Sequence, residues 1–243
     1  MTKASDWDLL AVPASFFTDK GGDPDARQRL IMAGLEVFGA YNLEGATTRQ
    51  IALKAQVNQA AIAYYFGGKE GLYMAVIEFA VGIIKANVLP AVIAIRDRDP
   101  VNRFTRREAL ELAQGIIRAF LGTLVRFPMA SSWSRIVMRE QMQPTKGFDY
   151  LYENVIQHIH RAFARLLADA HECDPEDPQM ILRAHSLVGQ FIIFLAGRET
   201  VRRRMHWQCY SADEARQIET AVSANLEAIF LYATNTPGKG NNQ

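Results

Sequence analysis

The chain has 243 residues, 27 Lys+Arg against 26 Asp+Glu, 49% apolar residues and 22% charged ones, which excludes a wholly disordered chain and allows a sizeable buried core. A formal net charge of +1 excludes histone-like coating of a polyanion. Any nucleic-acid site must therefore be local: residues 1–80 hold 7 basic and 9 acidic side chains, 81–132 hold 8 and 4, and 133–243 hold 12 and 13.

Residues 1–22 mix Pro13, Asp8, Asp19, Gly21 and Gly22 without periodicity, which predicts a flexible arm. They lack the basic start and apolar run of a secretory signal, and the two cysteines, Cys173 and Cys209, cannot build a disulfide framework, so a reducing, cytoplasmic address is expected. A first helix starts at Pro24, after Asp23, carries Ile31, Leu35 and Phe38 on one face and ends through Gly39, Asn42 and Gly45. Thr47-Thr48-Arg49-Gln50 is a capping box opening a short helix to Ala55. Asn58 caps a still shorter helix, 59–65, which Gly67-Gly68 breaks, and a fourth begins at Lys69.

Helices of roughly 20 residues are expected after that point: 69–87 with a bend onward past Pro90, 105–127, 147–170, 178–196 and 211–233, with a shorter one at 131–142. Residues 234–243 read as a flexible tail. The longest apolar stretch, 187–196, is about half of the roughly 20 residues a membrane span needs, so no span and no membrane partner are expected. No strand alternation competes with the helical spacing, and the fold class is all-α. Small helices followed by long ones imply two domains, a small one at 23–80 and a larger helical one at 81–233, joined by the fourth helix.

The two short capped helices around Ala55-Gln56-Val57 form a helix-turn-helix pattern. In the second, Ala60, Ala61, Tyr64 and Tyr65 are assigned to one side, and Ile62, Ala63 and Phe66 toward the core. Alanines let such a helix approach the major groove closely, Gln59 at its tip can present an amide to a base edge, and Tyr64 and Tyr65 can donate to phosphates, although Tyr65 serves equally well as a core residue.

The run Ala46-Thr47-Thr48-Arg49-Gln50-Ile51-Ala52, then Val57-Asn58, then Ala63-Tyr64-Tyr65-Phe66-Gly67-Gly68-Lys69-Glu70-Gly71-Leu72 resembles the DNA-binding domain of TetR/AcrR-type transcriptional regulators. Later runs, Met138-Arg139-Glu140-Gln141-Met142-Gln143-Pro144-Thr145 and Met180-Ile181-Leu182-Arg183-Ala184-His185-Ser186-Leu187-Val188-Gly189-Gln190, are similar to the CecR-like C-terminal domain of one branch of that family. The resemblance implies that Thr48 and Arg49 contact the DNA backbone or a groove edge, that Gln59, Ala60 and Ala61 face bases, and that Tyr64, Tyr65 and Lys69 hold phosphates. It also implies a small-molecule effector in the middle helices and a homodimer paired through the last two long helices. Two positions depart from the pattern: Gln56 stands where the family often has Gly, and Gly68 where it often has Ser.

A few specific contacts per subunit favour a dimer on a palindromic double-stranded operator. The apolar surfaces of 178–196 and 211–233 suit such an interface, or simply an intrachain core. Arg135, Met138 and Met142 fall at i, i+3 and i+7 as candidate walls of an effector pocket, with His158 and His185 as polar groups in apolar stripes. A histidine satisfied by a backbone carbonyl is the plainer alternative. His158 and His160 point about 200° apart and His171-Glu172-Cys173 has no second ligand cluster, so no metal site is expected. Glu140 beside Arg139 reads as a structural ion pair. Without a nucleotide loop, nucleophile elbow or zinc-protease motif, neither an enzyme nor a cofactor is expected. The reading is a ligand-responsive DNA-binding regulator, a repressor; the alternative is a helical ligand-binding or protein-interaction module that binds no DNA.

Overall fold

The computed structural model describes residues 24–99, 101–127 and 130–231, and every regular element among them is helical. The expected arm at 1–22 and tail at 234–243 lie outside the described residues. Helix α1 (Pro24–Ala40) buries Leu30, Ile31, Leu35 and Phe38. Against it pack α2 (Thr48–Ala55), α3 (Ala60–Phe66) and α4 (Lys69–Asn87). The capping box at α2 forms as its residue types dictate: Thr47 Oγ1 accepts the Gln50 amide at 3.2 Å and Gln50 Oε1 accepts the Thr47 amide at 3.0 Å. Asn58 Oδ1 accepts the Ala60 amide at 2.9 Å and opens α3.

The α2–α3 turn requires a left-handed residue, and Gln56 supplies it at φ 57° and ψ 44°, a conformation that costs any side chain bearing a Cβ. Gly67 (φ 74°) and Gly68 (φ 140°) then reverse the chain into α4. No side chain caps α4.

Helix α4 is buried along almost its whole length, from Leu72 and Tyr73 to Ile83 and Ile84, because it lies between α1 and α3 on one side and the later helices on the other. It bends by 60° into α5 (Leu89–Arg96), whose Pro90 sits where a missing amide is harmless. Helix α6 (Arg106–Arg126) opens on a second capping box, Thr105 with Glu108, and α7 (Ala130–Met142) lies against α1.

The single helix expected over 147–170 is instead three pieces: α8 (Lys146–Leu151), a π-helical turn at Tyr152–Ile156, and α9 (Gln157–His171). The turn is tied at Asn154, whose amide donates to Tyr150 O at 2.9 Å and whose Oδ1 accepts from Lys85 Nζ at 2.7 Å. The extra residue of a π turn rotates everything downstream by about 100°.

Helix α10 (Pro178–Ala196), opened by Asp177 accepting the Gln179 amide at 2.7 Å, packs on α9 through Met180, Ala184, Leu187, Phe191 and Leu195. A short helix unforeseen from the sequence, α11 (Arg198–Met205), follows, and then α12 (Ala212–Leu231), which packs on α6 through Ile218, Val222, Leu226 and Phe230. The far faces of α10 and α12 are uncovered. On α10, Ile181, Leu182 and Ile193 are 44%, 61% and 57% exposed, and the whole helix is, by length and composition, apolar enough to cross a membrane.

Candidate nucleic-acid interface

Helix α3 is anchored by one residue, Ile62, which is buried in the common core, with Phe66 half-buried beside it. Opposite that anchor, Gln59, Ala60, Ala63 and Tyr64 are exposed, Tyr64 by 65%. The outward face is therefore 59/60/63/64. Steps of about 100° place Ala63 and Tyr64 within about 60° of Ala60, while Ala61 and Tyr65 turn to the flank. Two assignments are corrected: Ala63 faces solvent rather than the core, and Ala61 is half-buried against the core rather than outward. Tyr65 is also half-buried, with the ring of Tyr64 set edge-on at 4.9 Å.

Gln59 stands at the N-cap of α3, one residue before the helix proper, and its Nε2 donates to Thr48 Oγ1 at 2.8 Å. The two tips of the helix-turn-helix are thereby locked together, and the Gln59 side chain remains exposed. Arg49, on α2, is exposed and takes no ion pair among the described residues. Lys54, its neighbour on that helix, is paired with Glu36. Lys69 does not project freely as a phosphate ligand: its ammonium donates to Ala46 O at 3.2 Å and to Glu44 O at 3.5 Å, tying the loop before α2 to the start of α4.

Gly71 is a residue that sequence reasoning passed over as part of the motif. A Cβ there would lie 1.8 Å from the carbonyl oxygen of Phe66, so only glycine lets the first turn of α4 press onto the end of α3. That contact sets the angle between the outward helix and the long helix behind it.

Two sets of hydrogen bonds join this unit to the later helices. Arg135 Nε on α7 donates to Gly39 O at 2.7 Å, and an Arg139 guanidinium nitrogen donates to Phe38 O at 2.9 Å. Both are carbonyls of the last turn of α1, which lack helical partners. One residue on, Glu140 is only 2% exposed and accepts from Tyr73 Oη at 2.6 Å, from the Thr145 amide at 3.1 Å and from Thr145 Oγ1 at 3.0 and 2.9 Å. Burial, and then the bond to Glu140, push the Tyr73 phenol well above its ordinary pKa. The expected Arg139–Glu140 ion pair is thus absent among the described residues: successive helical residues point about 100° apart, and each finds a different partner.

The candidate pocket residues fall into three clefts. Arg135, Met138 and Met142 share a cleft of about 590 Å³ whose other walls include Asn42 from the α1–α2 loop and Arg198 from α11. His158 lines a second cleft, beside Val92 and Ile93. His185 lines a third with His160, at 5.1 Å between ring centroids. The two candidate histidines thus lie in different clefts, and it is His160 that stands beside His185. Burial, and then the charge of His185, lower the His160 pKa. His185 lies on α10 with Ile181, Val188 and Ile192 at the expected spacing, but is itself exposed.

Against known proteins, residues 30–76 match the family model described as bacterial regulatory proteins, tetR family, and residues 101–231 match that of the HTH-type transcriptional dual regulator CecR, C-terminal domain. The dual regulator CecR of Shigella flexneri is 32% identical over 209 residues, 84% of this chain and 91% of its own length. The regulator SrpR of Pseudomonas putida is 45% identical over 53 residues, 22% of this chain and 25% of its own. Among solved structures, a TetR-like regulator from Rhodococcus sp. RHA1 superposes with a TM-score of 0.58 at 19% identity, covering 87% of this chain and 97% of that one. AibR, solved with isovaleryl coenzyme A and operator DNA, superposes at 0.60 and 12% identity, covering 84% and 98%. This chain belongs to the TetR family of DNA-binding transcriptional regulators, in the branch that carries a CecR-type C-terminal domain.

Proposed function

We propose that the protein is a ligand-responsive repressor which, as a cytoplasmic homodimer, occupies a palindromic operator until a small molecule binds its helical domain. In this reading residues 23–80 bind DNA and 81–233 bind the effector and the second subunit. The observation that carries it is the outward face of α3: an amide oxygen, two methyl groups and a phenol, Gln59, Ala60, Ala63 and Tyr64, raised on a single buried anchor. Such a surface is small enough to enter a major groove. Gln59 reads a base edge, Ala60 and Ala63 meet thymine methyls, and Thr48, Arg49, Tyr64 and Tyr65 meet the backbone. Ala61 and Lys69 support that surface from behind.

The dimer rests on the uncovered sides of α10 and α12. Leu182, Gly189, Ile193 and Ala196 fall at i, i+7, i+11 and i+14, as do Gln217, Ala224, Ala228 and Leu231. The small residues let helices of a second copy approach closely, and the apolar ones give them area to bury. The effector's place is the cleft beside Arg135, Met138 and Met142, because its wall is the helix that holds the end of α1. The ligand-bound AibR structure supports a response to small molecules in this fold.

Footprinting on genomic fragments, followed by binding to the recovered duplexes at graded salt, tests the proposal. Arg49→Ala should weaken every duplex and lower the log–log salt slope by about 2, at roughly 0.9 per phosphate and one phosphate per subunit. Gln59→Ala should chiefly relax preference at one base position. Binding that ignores salt, or both variants binding as the parent does, would refute it.

A further inference from the structure

Around the junction of α10 and α11, three buried hydrogen-bonding atoms have no partner among the described residues: Arg198 Nε, Arg202 Nε and the Tyr210 hydroxyl. An unmet donor in a protein interior costs about as much as a lost hydrogen bond, so a cluster of three calls for an acceptor. They lie together. The Arg198 guanidinium sits over the Tyr210 ring at 5.1 Å, and both arginines bear electrostatically on the Tyr210 phenol. Arg198 and Tyr210 line one end of a 170 Å³ cavity, and its remaining walls are almost wholly apolar, including Leu124, Phe127, Phe194 and Leu195.

Charge narrows the class of occupant. Of the arginines at this end of α11, Arg202 and Arg203 are both paired with Glu199, while Arg198 takes no ion pair among the described residues. Two arginines on one glutamate leave one positive charge over and Arg198 adds another, so this end of the cavity favours an anion. At about 30 Å³ for each water-sized group, the cavity holds roughly six heavy-atom groups. We propose that this cavity is a binding site for a small amphipathic carboxylate, whose head accepts from Arg198 and Tyr210 and whose apolar body lies against Phe127 and Phe194. The proposal deepens the ligand-responsive reading above and rests on it for its consequence. Arg198 also lines the cleft of Arg135 and Arg139, so the carboxylate's partner is a shared wall with the residues that hold α1.

The test uses the full-length protein with butanoate and pentanoate, and with butanamide and pentanamide as neutral matches. Binding is followed by calorimetry and by the fluorescence of Trp207, whose ring stands edge-on to Tyr210 at 5.8 Å. At least one carboxylate should bind at least about tenfold more tightly than its amide. Arg198→Met should abolish that preference, Tyr210→Phe should weaken carboxylate binding severalfold, and Arg203→Met should leave it unchanged. Arg198→Lys, which keeps the charge, stands in for Arg198→Met if the latter fails to fold, and should retain only part of the preference. Equal binding of acid and amide, no binding of either acid, or an Arg198 variant indistinguishable from the parent would overturn the site. Operator affinity is measured separately with the same probes. A carboxylate that binds as described without changing operator affinity upholds the site and sinks the effector reading. Operator release by other compounds, with no carboxylate binding, does the reverse.

Discussion

Replacing Tyr73 by Phe removes one hydroxyl and nothing else from a site in which Glu140 is almost wholly buried. In the parent, Glu140 is 2% exposed and takes three donor groups, and the shortest bond, 2.6 Å, comes from Tyr73. Losing it leaves Oε1 with Thr145 Oγ1 alone, at a cost of about 2 kcal/mol for an under-satisfied buried acceptor. For a chain of this length that lowers Tm by about 4–8 °C. Thermal unfolding at pH 7 reads the loss. The same change in a Glu140→Leu background should be neutral or stabilising, because the hydroxyl then has no acceptor, so the double-mutant cycle isolates the bond. The phenol's pKa is raised in the folded state, so folded protein holds its proton more tightly than unfolded protein does. Its contribution is therefore complete below the unfolded value of about 10 and is lost as pH rises toward the folded one. The parent should lose stability above pH 10 by an increment that Tyr73→Phe lacks. A variant that melts with the parent at pH 7, or a loss of equal size in both backgrounds, would refute the account of this network.

Gly71→Ala forces a methyl group onto the Phe66 carbonyl; it should cost about 3 kcal/mol, the upper end of overpacking penalties, by urea denaturation, and weaken DNA binding beyond that by changing the set of α3 on α4. Gln56→Gly relieves a left-handed side chain and should raise stability by about 1 kcal/mol with an unchanged denaturant slope. Ala224→Glu, on the uncovered face of α12, should leave the fold intact by circular dichroism and shift sedimentation from dimer to monomer, with loss of operator binding; a dimer that survives it would move the proposed interface elsewhere.

Helix positions and caps were legible because they are local. The box at Thr47 follows from residue type within a few positions, and the structure holds it. Asn58 accepts the Ala60 amide as expected of a capping residue, one position before the helix's own N-cap at Gln59. The left-handed turn at Gln56, in contrast, shows in the sequence only as a departure from the family's glycine. Mistakes arose where one residue of register decides the outcome. Ala63 was placed on the wrong side of a seven-residue helix, in which a single buried anchor leaves little pattern to read. The π turn at Tyr152–Ile156 carries no breaker residue, so the sequence shows one helix where the structure has three pieces. Helix α11 escaped notice because RETVRRRM has no buried face and therefore no apolar period. The ties of Lys69, Arg135 and Arg139 to backbone carbonyls were beyond reach for another reason. A carbonyl acceptor leaves no signature in side-chain identity, and the separation between Arg139 and Phe38 is 101 residues.

The two ties between the DNA-binding unit and the later helices differ in what it takes to break them. Glu140 is sealed from water, and separating it from Tyr73 leaves buried polar atoms unmet, so that bond behaves as a fixed pivot between α4 and α7. The guanidiniums of Arg135 and Arg139 instead line an open cleft, where water can take over the carbonyls of Phe38 and Gly39 once the arginines leave. Exchanging each such bond for hydration costs about 0.5–1.5 kcal/mol net. Two per subunit give about 1–3 kcal/mol, the range in which one site ordinarily biases another. A ligand that draws those arginines toward itself frees the end of α1 while the pivot holds, and α1 is the helix on which α2 and α3 are packed. Under the proposed ligand-responsive reading, a signal entering at the cleft would reach the outward face of α3 as a rotation about Tyr73 and Glu140, with no need to melt either half of the molecule.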